Sequence, residues 1–525
     1  MRQSRRVHRV AQPRPRALRA DLLLHNARLY TLDGHPPAEA MAVRDGRIAA
    51  VGRMADVVGL AAAGTRRVDL GGATVLPGFN DAHVHVWKIG QLQTALLDLR
   101  GTTSLHDVYD AVARRAEGVP RGGWILGRGW NEAALGGAAP SRAGLDRAAP
   151  DHPVVLTRTC AHIHAASSAA LKRAGVDAGT VAPAGGALDL ERGLLYETAY
   201  GLVQRALPAP TRSEVEEWIV AGANHLASLG ITAACDAAVD PATYEAYRAL
   251  ESARRVPIRI SLLHLLRPDL GAGLFELPPP HASDWLRCDT AKLFADGGLS
   301  GATAAISEPY RDGDRGILRL EAGEIEDLAE RAARVGYRVA THAIGDRAIE
   351  ATLSAYEHLG ARGLAMPRPR IEHFGLPTAA HLEKARRLGV HVVTQPIFLR
   401  ELAASFERVL PEALAARCYP LRAMHDAGLP TAYSSDGPVV QDLSPLAGIA
   451  EAARAGVPVE AAISAYTRGA AAADAAEADR GTLSRGRHAD AVVLDGDPFT
   501  VPPAEIARIR VRTTLINGRL TGEHA

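Results

Sequence analysis

Thr290-Ala291-Lys292-Leu293-Phe294-Ala295-Asp296-Gly297 reads as a short apolar strand with a lysine inside it. An ammonium ion in such a setting is expensive to desolvate. The chain has four lysines (Lys88, Lys172, Lys292 and Lys384), and its other basic residues are arginine. A position needing only a fixed cation would follow that habit and carry Arg. Lysine differs in that its amine can lose a proton and react. Lys292 is therefore read as a chemical group, and its strand as part of a functional site.

Working outward, strand-like runs recur at 74–86, 231–237, 257–266, 290–297, 337–344, 368–374, 390–396 and 430–436. Helical patterns separate most of them: Ile325, Leu328, Ala332 and Val335 fall at spacings of three and four, and 347–359 and 379–388 behave alike. Such alternation marks a parallel sheet wrapped by helices, an α/β chain. Eight strands close a (β/α)8 TIM-like barrel. A doubly wound sheet is the competing architecture, but no GxGxxG follows an early strand.

Both ends of the chain have a different texture. Residues 22–30 and 42–52 read as short strands, the second pair turning at Asp45-Gly46. Residues 491–498 and 511–520 match them, turning at Asn517-Gly518. These ends predict one small composite sheet domain from 20–73 and 485–525, beside a barrel over 74–484. The stretch of about 88–228 is too long for a strand connection and predicts an inserted subdomain or lid after strand 1. Insertions there emerge at the catalytic face.

Composition narrows the function classes. The 525 residues are 47% hydrophobic, with 60 basic and 59 acidic side chains, a net charge of +1. That balance points to no nucleic-acid partner and no anionic membrane. Four cysteines without a CxxC argue against a disulfide framework and for a reducing compartment. No run approaches the roughly 18–20 apolar residues of a membrane span. Residues 1–19 hold seven arginines and no acid, and read as a disordered Arg-rich arm lacking the apolar segment of a secretory signal. The expected setting is cytoplasmic, the expected partner a small-molecule substrate; a homo-oligomer stays open.

Pro77-Gly78-Phe79-Asn80-Asp81-Ala82-His83-Val84-His85 sets two histidines at i and i+2 of a strand, so both imidazoles project from one face. His342 in Thr341-His342-Ala343-Ile344-Gly345-Asp346, His373 in Arg370-Ile371-Glu372-His373, and Asp436 in Ser434-Ser435-Asp436-Gly437 each end a predicted strand. Catalytic groups of a (β/α)8 barrel gather at those ends. Histidine and carboxylate suit Zn2+ and its neighbours. The bland readings are a core histidine and an exposed one for the HxH pair, and an ion pair with Asp296 for Lys292. By the same reading Asp346 is an N-cap or a catalytic group, and Glu372, next to His373, points to the opposite face and is structural.

HxH on strand 1, Lys on strand 4, His on strands 5 and 6 and Asp on strand 8 resemble the amidohydrolase superfamily. The wording of these motifs is similar to the YtcJ-like branch, which includes N-substituted formamide deformylases. The resemblance implies a metal-dependent hydrolase with a flanking β-sandwich. It implies that His83, His85 and Asp436 hold a first divalent metal, Zn2+ in the simplest case, and that His342 and His373 hold a second. Lys292, carboxylated by CO2, would bridge them as a carbamate. A metal lowers the pKa of bound water from about 15.7 toward about 7, and Asp436 would act as general base, then acid. The expected reaction cleaves an amide-type C–N bond, N-acyl or N-formyl. Deamination of a cyclic amidine and opening of a lactam or lactone use the same chemistry, and a non-catalytic ligand-binding barrel is a further alternative. Substrate-contact candidates are His162, Trp130, Glu197 and Arg128. Around His162, related proteins carry Asp, Trp and Asn where this chain has Cys160, Ala165 and Ser167.

Overall fold

The computed structural model describes residues 19–521, apart from 133, 160–162, 184–185, 198, 268–272 and 365. The Arg-rich arm, Arg19 excepted, lies outside the described residues.

Eight parallel strands follow one another around the central sheet: β1 Phe79–Val84, β2 Ile231–Val239, β3 Arg259–Leu265, β4 Leu286–Phe294, β5 Arg338–Ala343, β6 Arg370–His373, β7 His391–Thr394 and β8 Thr431–Tyr433. This is the α/β barrel expected from the strand–helix alternation. The ladders β4 to β8 run in unbroken register, while those joining β1 to β4 carry register shifts; Lys292 pairs with Leu265 on one side and Ala340 on the other. Paired residues in a parallel ladder face the same way, so register carries the side-chain direction from strand to strand. Helices Ala322–Arg334, Asp346–Ala361 and Ala379–Leu388 occupy the predicted positions.

Strands β1 and β8 share no ladder, so the barrel is nearly rather than fully closed. The seam is joined near the carboxyl ends of both strands. Asp436 N–H donates to His83 O at 2.8 Å, and His85 N–H donates to Gly437 O at 2.8 Å. Ser435 adds its backbone N–H and its hydroxyl to the Asp81 carboxylate, at 3.1 and 2.5 Å. Lower down, helix 470–473 packs against the gap. Nearby, a Cβ at Gly469 would sit 2.4 Å from Thr431 O, so only glycine lets that segment come so close.

The run 74–86 is two strands rather than one. Arg66–Pro77 belongs to a flanking sheet, and the chain crosses to the barrel at Gly78. Continuous apolar character hides the switch, since both strands are buried. A Cβ at Gly78 would come 2.2 Å from Thr232 Oγ1. The flanking sheet is one continuous layer of seven strands in the order Arg519–Leu520, Val511–Ile516, Ala491–Leu494, Arg66–Pro77, Leu22–Leu29, Ala40–Arg44, Arg47–Gly52. The long strand Arg66–Pro77 bends at Gly71 and Gly72, both at positive φ (62° and 80°). It runs parallel to Leu22–Leu29 and pairs with Ala491–Leu494 antiparallel. The bend lets Leu24, Met41, Val75, Val493 and Leu515 share one core. Asp45-Gly46 and Asn517-Gly518 turn with positive φ at both central residues, as type I′ hairpins require. Arg259 ties this sheet to the barrel through Asp490, at 2.6 Å.

Between β1 and β2 the chain forms helix α1 (Val86–Thr94), a six-stranded sheet spanning Leu97–Glu197, and helix α2 (Arg212–Ser228). Helices Leu105–Glu117, Arg142–Ala148, Ser168–Arg173 and Tyr200–Gln204 pack with this sheet. Helices α1 and α2 cross at two glycines and cover the apolar side of β1 and β2. A Cβ at Gly90 would lie 1.8 Å from Trp218 O, and one at Gly222 would lie 2.1 Å from Val86 O. Both contacts are with backbone, which cannot swing aside. Gly222→Ala should therefore lower stability by about 1–3 kcal/mol through overpacking, read as a reduced urea midpoint; an unchanged midpoint would refute the contact.

Candidate metal centre

The carboxyl end of β1 and the turn after β8 place three donor groups together. His83 Nε2 lies 3.5 Å and His85 Nε2 3.4 Å from Asp436 Oδ1. One ligand atom from each residue falls within 4.8 Å of the others, a spacing that could hold a metal ion. Local backbone makes this possible. His85 is the residue between the end of β1 and the start of α1, and its ring still reaches Asp436. Asp436 has φ of 57°, and this left-handed turn aims its carboxylate at the histidines.

The other predicted groups lie beside this trio. The His373 ring is 4.7 Å from that of His83 and 4.5 Å from that of His342. His342 is 5.4 Å from the ring of Phe294, and Lys292 Nζ lies 4.9 Å from the same ring. Lys292 is 1% exposed. Among the described residues it makes no ion pair, and the expected alternative partner is committed elsewhere. Asp296 accepts backbone N–H groups from Ala305, Ile344 and Gly345 at 2.8–3.0 Å.

Electrostatics favours the ligand forms. Burial, reinforced by the Lys292 charge, holds His83 well below the ordinary histidine range and His342 at about 3. Burial and the neighbouring His342 hold His373 at about 3. All three are neutral imidazoles at physiological pH, the form that binds metal. Burial raises Asp436, giving it proton affinity suited to a base. Burial also lowers the Lys292 amine from 10.5 to about 8.

Two contributors escaped the sequence reading. Gln395 Oε1 lies 3.0 Å from His373 Nδ1, with Gln395 Nε2 donating to Ser434 Oγ at 2.9 Å. This assigns the proton to His373 Nδ1 and leaves Nε2 for an ion. Glu372 is the second. Its carboxylate accepts from His83 Nδ1, so it faces the site rather than the opposite side. Strand alternation predicts otherwise, but His373 and Phe374 have φ of 73° and 52° and break the alternation at that residue. A positive φ at a non-glycine leaves no mark in residue types.

The substrate-contact candidates are distributed differently. Trp130 is 1% exposed in the inserted sheet's own core and donates its Nε1–H to Leu156 O at 3.0 Å. There it packs with Val108, Val112 and Leu145 of helices 105–117 and 142–148. Arg128 is half-buried on the same strand, with its charge acting on Tyr200, whose ring stacks on His164 at 3.7 Å. Glu197 ends strand Leu194–Glu197. His162 lies outside the described residues. Asp346 opens its helix and accepts from Ser307 N–H at 2.8 Å, anchoring a loop rather than facing the trio.

The donor set fits a divalent ion: neutral imidazoles, a carboxylate, and outer hydrogen bonds that orient the rings.

The amidohydrolase family model (Amidohydro_3) matches residues 66–521. YtcJ of Bacillus subtilis, an amidohydrolase by name, is 31% identical, covering 95% of this chain and 99% of its own. The N-substituted formamide deformylase of Arthrobacter pascens is 29% identical over 96% of this chain and 98% of its own. Among solved structures, an uncharacterized metal-dependent hydrolase from Pyrococcus furiosus superposes with a TM-score of 0.75. It is 28% identical, over 91% of this chain and all of the other.

Lys292 gives the centre a measurable pH signature in metal-free protein. Folded, its amine deprotonates at about 8; unfolded, at 10.5. Between those values the unfolded chain binds more protons, so stability rises with pH. Below pH 8 the burial penalty is present in full. Lys292→Met should therefore be more stable than the parent below pH 8, with the advantage shrinking as pH approaches 10.5. Urea midpoints of metal-free protein across that window check this, and parallel profiles would refute it.

Proposed function

The chain belongs to the amidohydrolase family and is a hydrolytic enzyme; from that premise we propose that it cleaves an amide-type C–N bond, N-acyl or N-formyl, of a small-molecule substrate in a metal-dependent reaction. The observation carrying this reading is the approach of His83, His85 and Asp436 to within 4.8 Å of one another. The formamide deformylase similarity supports the choice of bond.

His83, His85 and Asp436 would hold a first divalent ion, Zn2+ by donor chemistry, and His342 and His373 a second. Lys292, with an amine that sheds its proton near pH 8, would take up CO2 and present a carbamate to both. When bound, such an ion acts as a Lewis acid that acidifies water and polarises a carbonyl. Asp436 removes the proton of the attacking water and returns it to the leaving nitrogen. Its raised proton affinity suits the first transfer, and its place against both histidines keeps it at the reacting centre. Neutral His342 and His373 leave no competing acid beside it. Among the described residues no helix is long and apolar enough to cross a membrane, and Cys235, Cys288 and Cys418 are free; a cytoplasmic setting accords with both.

Elemental analysis of purified protein should find a divalent metal, and a panel of N-formyl and N-acyl amines should release carboxylate rather than ammonia. Asp436→Asn should cut kcat by about 10²–10⁴ with the fold retained by circular dichroism. Full activity in a metal-free preparation would overturn the proposal.

A further inference from the structure

Arg370 is fully buried in the barrel interior and is flanked by two carboxylates, Glu372 and Asp474, that are buried as completely. Its fork holds Glu372 with both arms: Nε to Oε1 at 2.8 Å and Nη2 to Oε2 at 3.1 Å. Nη1 reaches Asp474 Oδ1 at 3.1 Å, and Nη2 also donates to Ala82 O at 2.9 Å. Asp474 has its own support from Arg480 at 2.9 Å and Asn80 at 3.1 Å. A buried ionic cluster is weak evidence of stabilisation, since apolar residues of equal volume often do as well. Its retention calls for another reason, and the position of the Glu372 oxygens supplies one.

With its plane fixed by the guanidinium, Glu372 turns one remaining lone pair of Oε2 toward His83 Nδ1. An ionised carboxylate only accepts, so the His83 proton must sit on Nδ1. The Nε2 lone pair is then directed at Asp436 Oδ1, 3.5 Å away. The same Arg370 nitrogen grips the carbonyl of Ala82, the residue before His83. Ring and backbone of His83 are thus both set by one guanidinium.

We propose that Arg370 and Glu372 are a positioning pair that fixes the Nδ1–H tautomer and ring direction of His83, forming the first metal site before any metal arrives. The inference rests on the metal-hydrolase reading, but its central claim concerns the metal-free protein.

Glu372→Gln is the test. Both Glu372 oxygens accept from Arg370, the Oε1 contact being the shorter at 2.8 Å against 3.1 Å; keeping the shorter one leaves the amide oxygen at Oε1 and turns the amide NH2, at the Oε2 position, toward His83. The ring should then switch to the Nε2–H tautomer, placing a proton where metal must bind. Nitrogen-15 NMR of histidine-labelled, metal-free protein, assigned with His83→Asn, should show Nδ1–H in the parent and Nε2–H in Glu372→Gln. Zinc affinity by chelator competition should fall about 10–100-fold. Asp474→Asn loosens the same cluster from its other side and should lower Tm without changing either readout. Arg370→Lys, which keeps charge but loses the fork, should weaken zinc binding in the same direction. An unchanged tautomer in folded Glu372→Gln, or an equal loss of affinity in Asp474→Asn, would overturn the positioning role. A parent protein that shows the Nδ1–H tautomer yet takes up no zinc would instead sink the hydrolase proposal and leave the positioning of His83 standing.

Discussion

Barrel closure and the His83–His85–Asp436 donor cluster are made by the same few hydrogen bonds. Strands β1 and β8 never form a ladder, and the gap is bridged by Asp436 N–H to His83 O and by His85 N–H to Gly437 O. Three residues whose side chains converge are therefore also the residues whose backbones complete the sheet. The barrel cannot open at that seam without separating the donors, and the donors cannot shift without loosening the seam. Catalytic geometry usually needs placement within about 0.5 Å. Here the placement is inherited from main-chain hydrogen bonds rather than added by flexible side chains.

Charge is arranged around that seam with little waste. Asp81 sits just beneath it, accepting from Ser435 and from His83 N–H, and burial pushes it up to about 7. Asp296 is equally buried, also near 7, and is satisfied by three backbone amides. Neither acid is free to neutralise Lys292. A buried acid given to amides stiffens loops; a buried acid given to the lysine would have tied up the amine. The distribution of partners keeps Lys292 chemically available while leaving few buried oxygens unbonded.

The sequence announces strand-end donor groups better than their supports. His83, His85, His342, His373 and Asp436 are legible as candidates because each ends an apolar run, and a period-two strand makes i and i+2 neighbours, as His83 and His85 are beside Asp436. The parallel order of strands followed from the alternation with helices. Gln395 and Glu372 were hidden for different reasons. Gln395 acts across two strands, at a separation of 22 residues from His373, and a lone glutamine on a strand end carries no pattern. At Glu372 the alternation rule fails because the backbone leaves the extended region at the next residue, His373. The break at Pro77-Gly78 was invisible for a third reason: two buried strands in tandem have the same composition as one long strand. Trp130 looked functional beside glycines and arginine, yet its neighbours in space are the apolar helices of the inserted sheet.

The same reasoning explains why lysine rather than arginine stands at position 292. Arg370, on the inner face two strands away, shows what this barrel does with a permanent cation: it is surrounded by Glu372, Asp474 and two carbonyls. Lys292, as fully buried, has Phe294 and histidines around it and no ion pair among the described residues. A guanidinium in that setting would stay charged and leave several donors unmet, a cost of several kcal/mol per buried ion. An amine has a cheaper course, because giving up its proton removes the charge. The contrast between the two sites, one built to hold a cation and one built to discharge it, is the physical content of a lysine at position 292 in a chain that otherwise favours arginine.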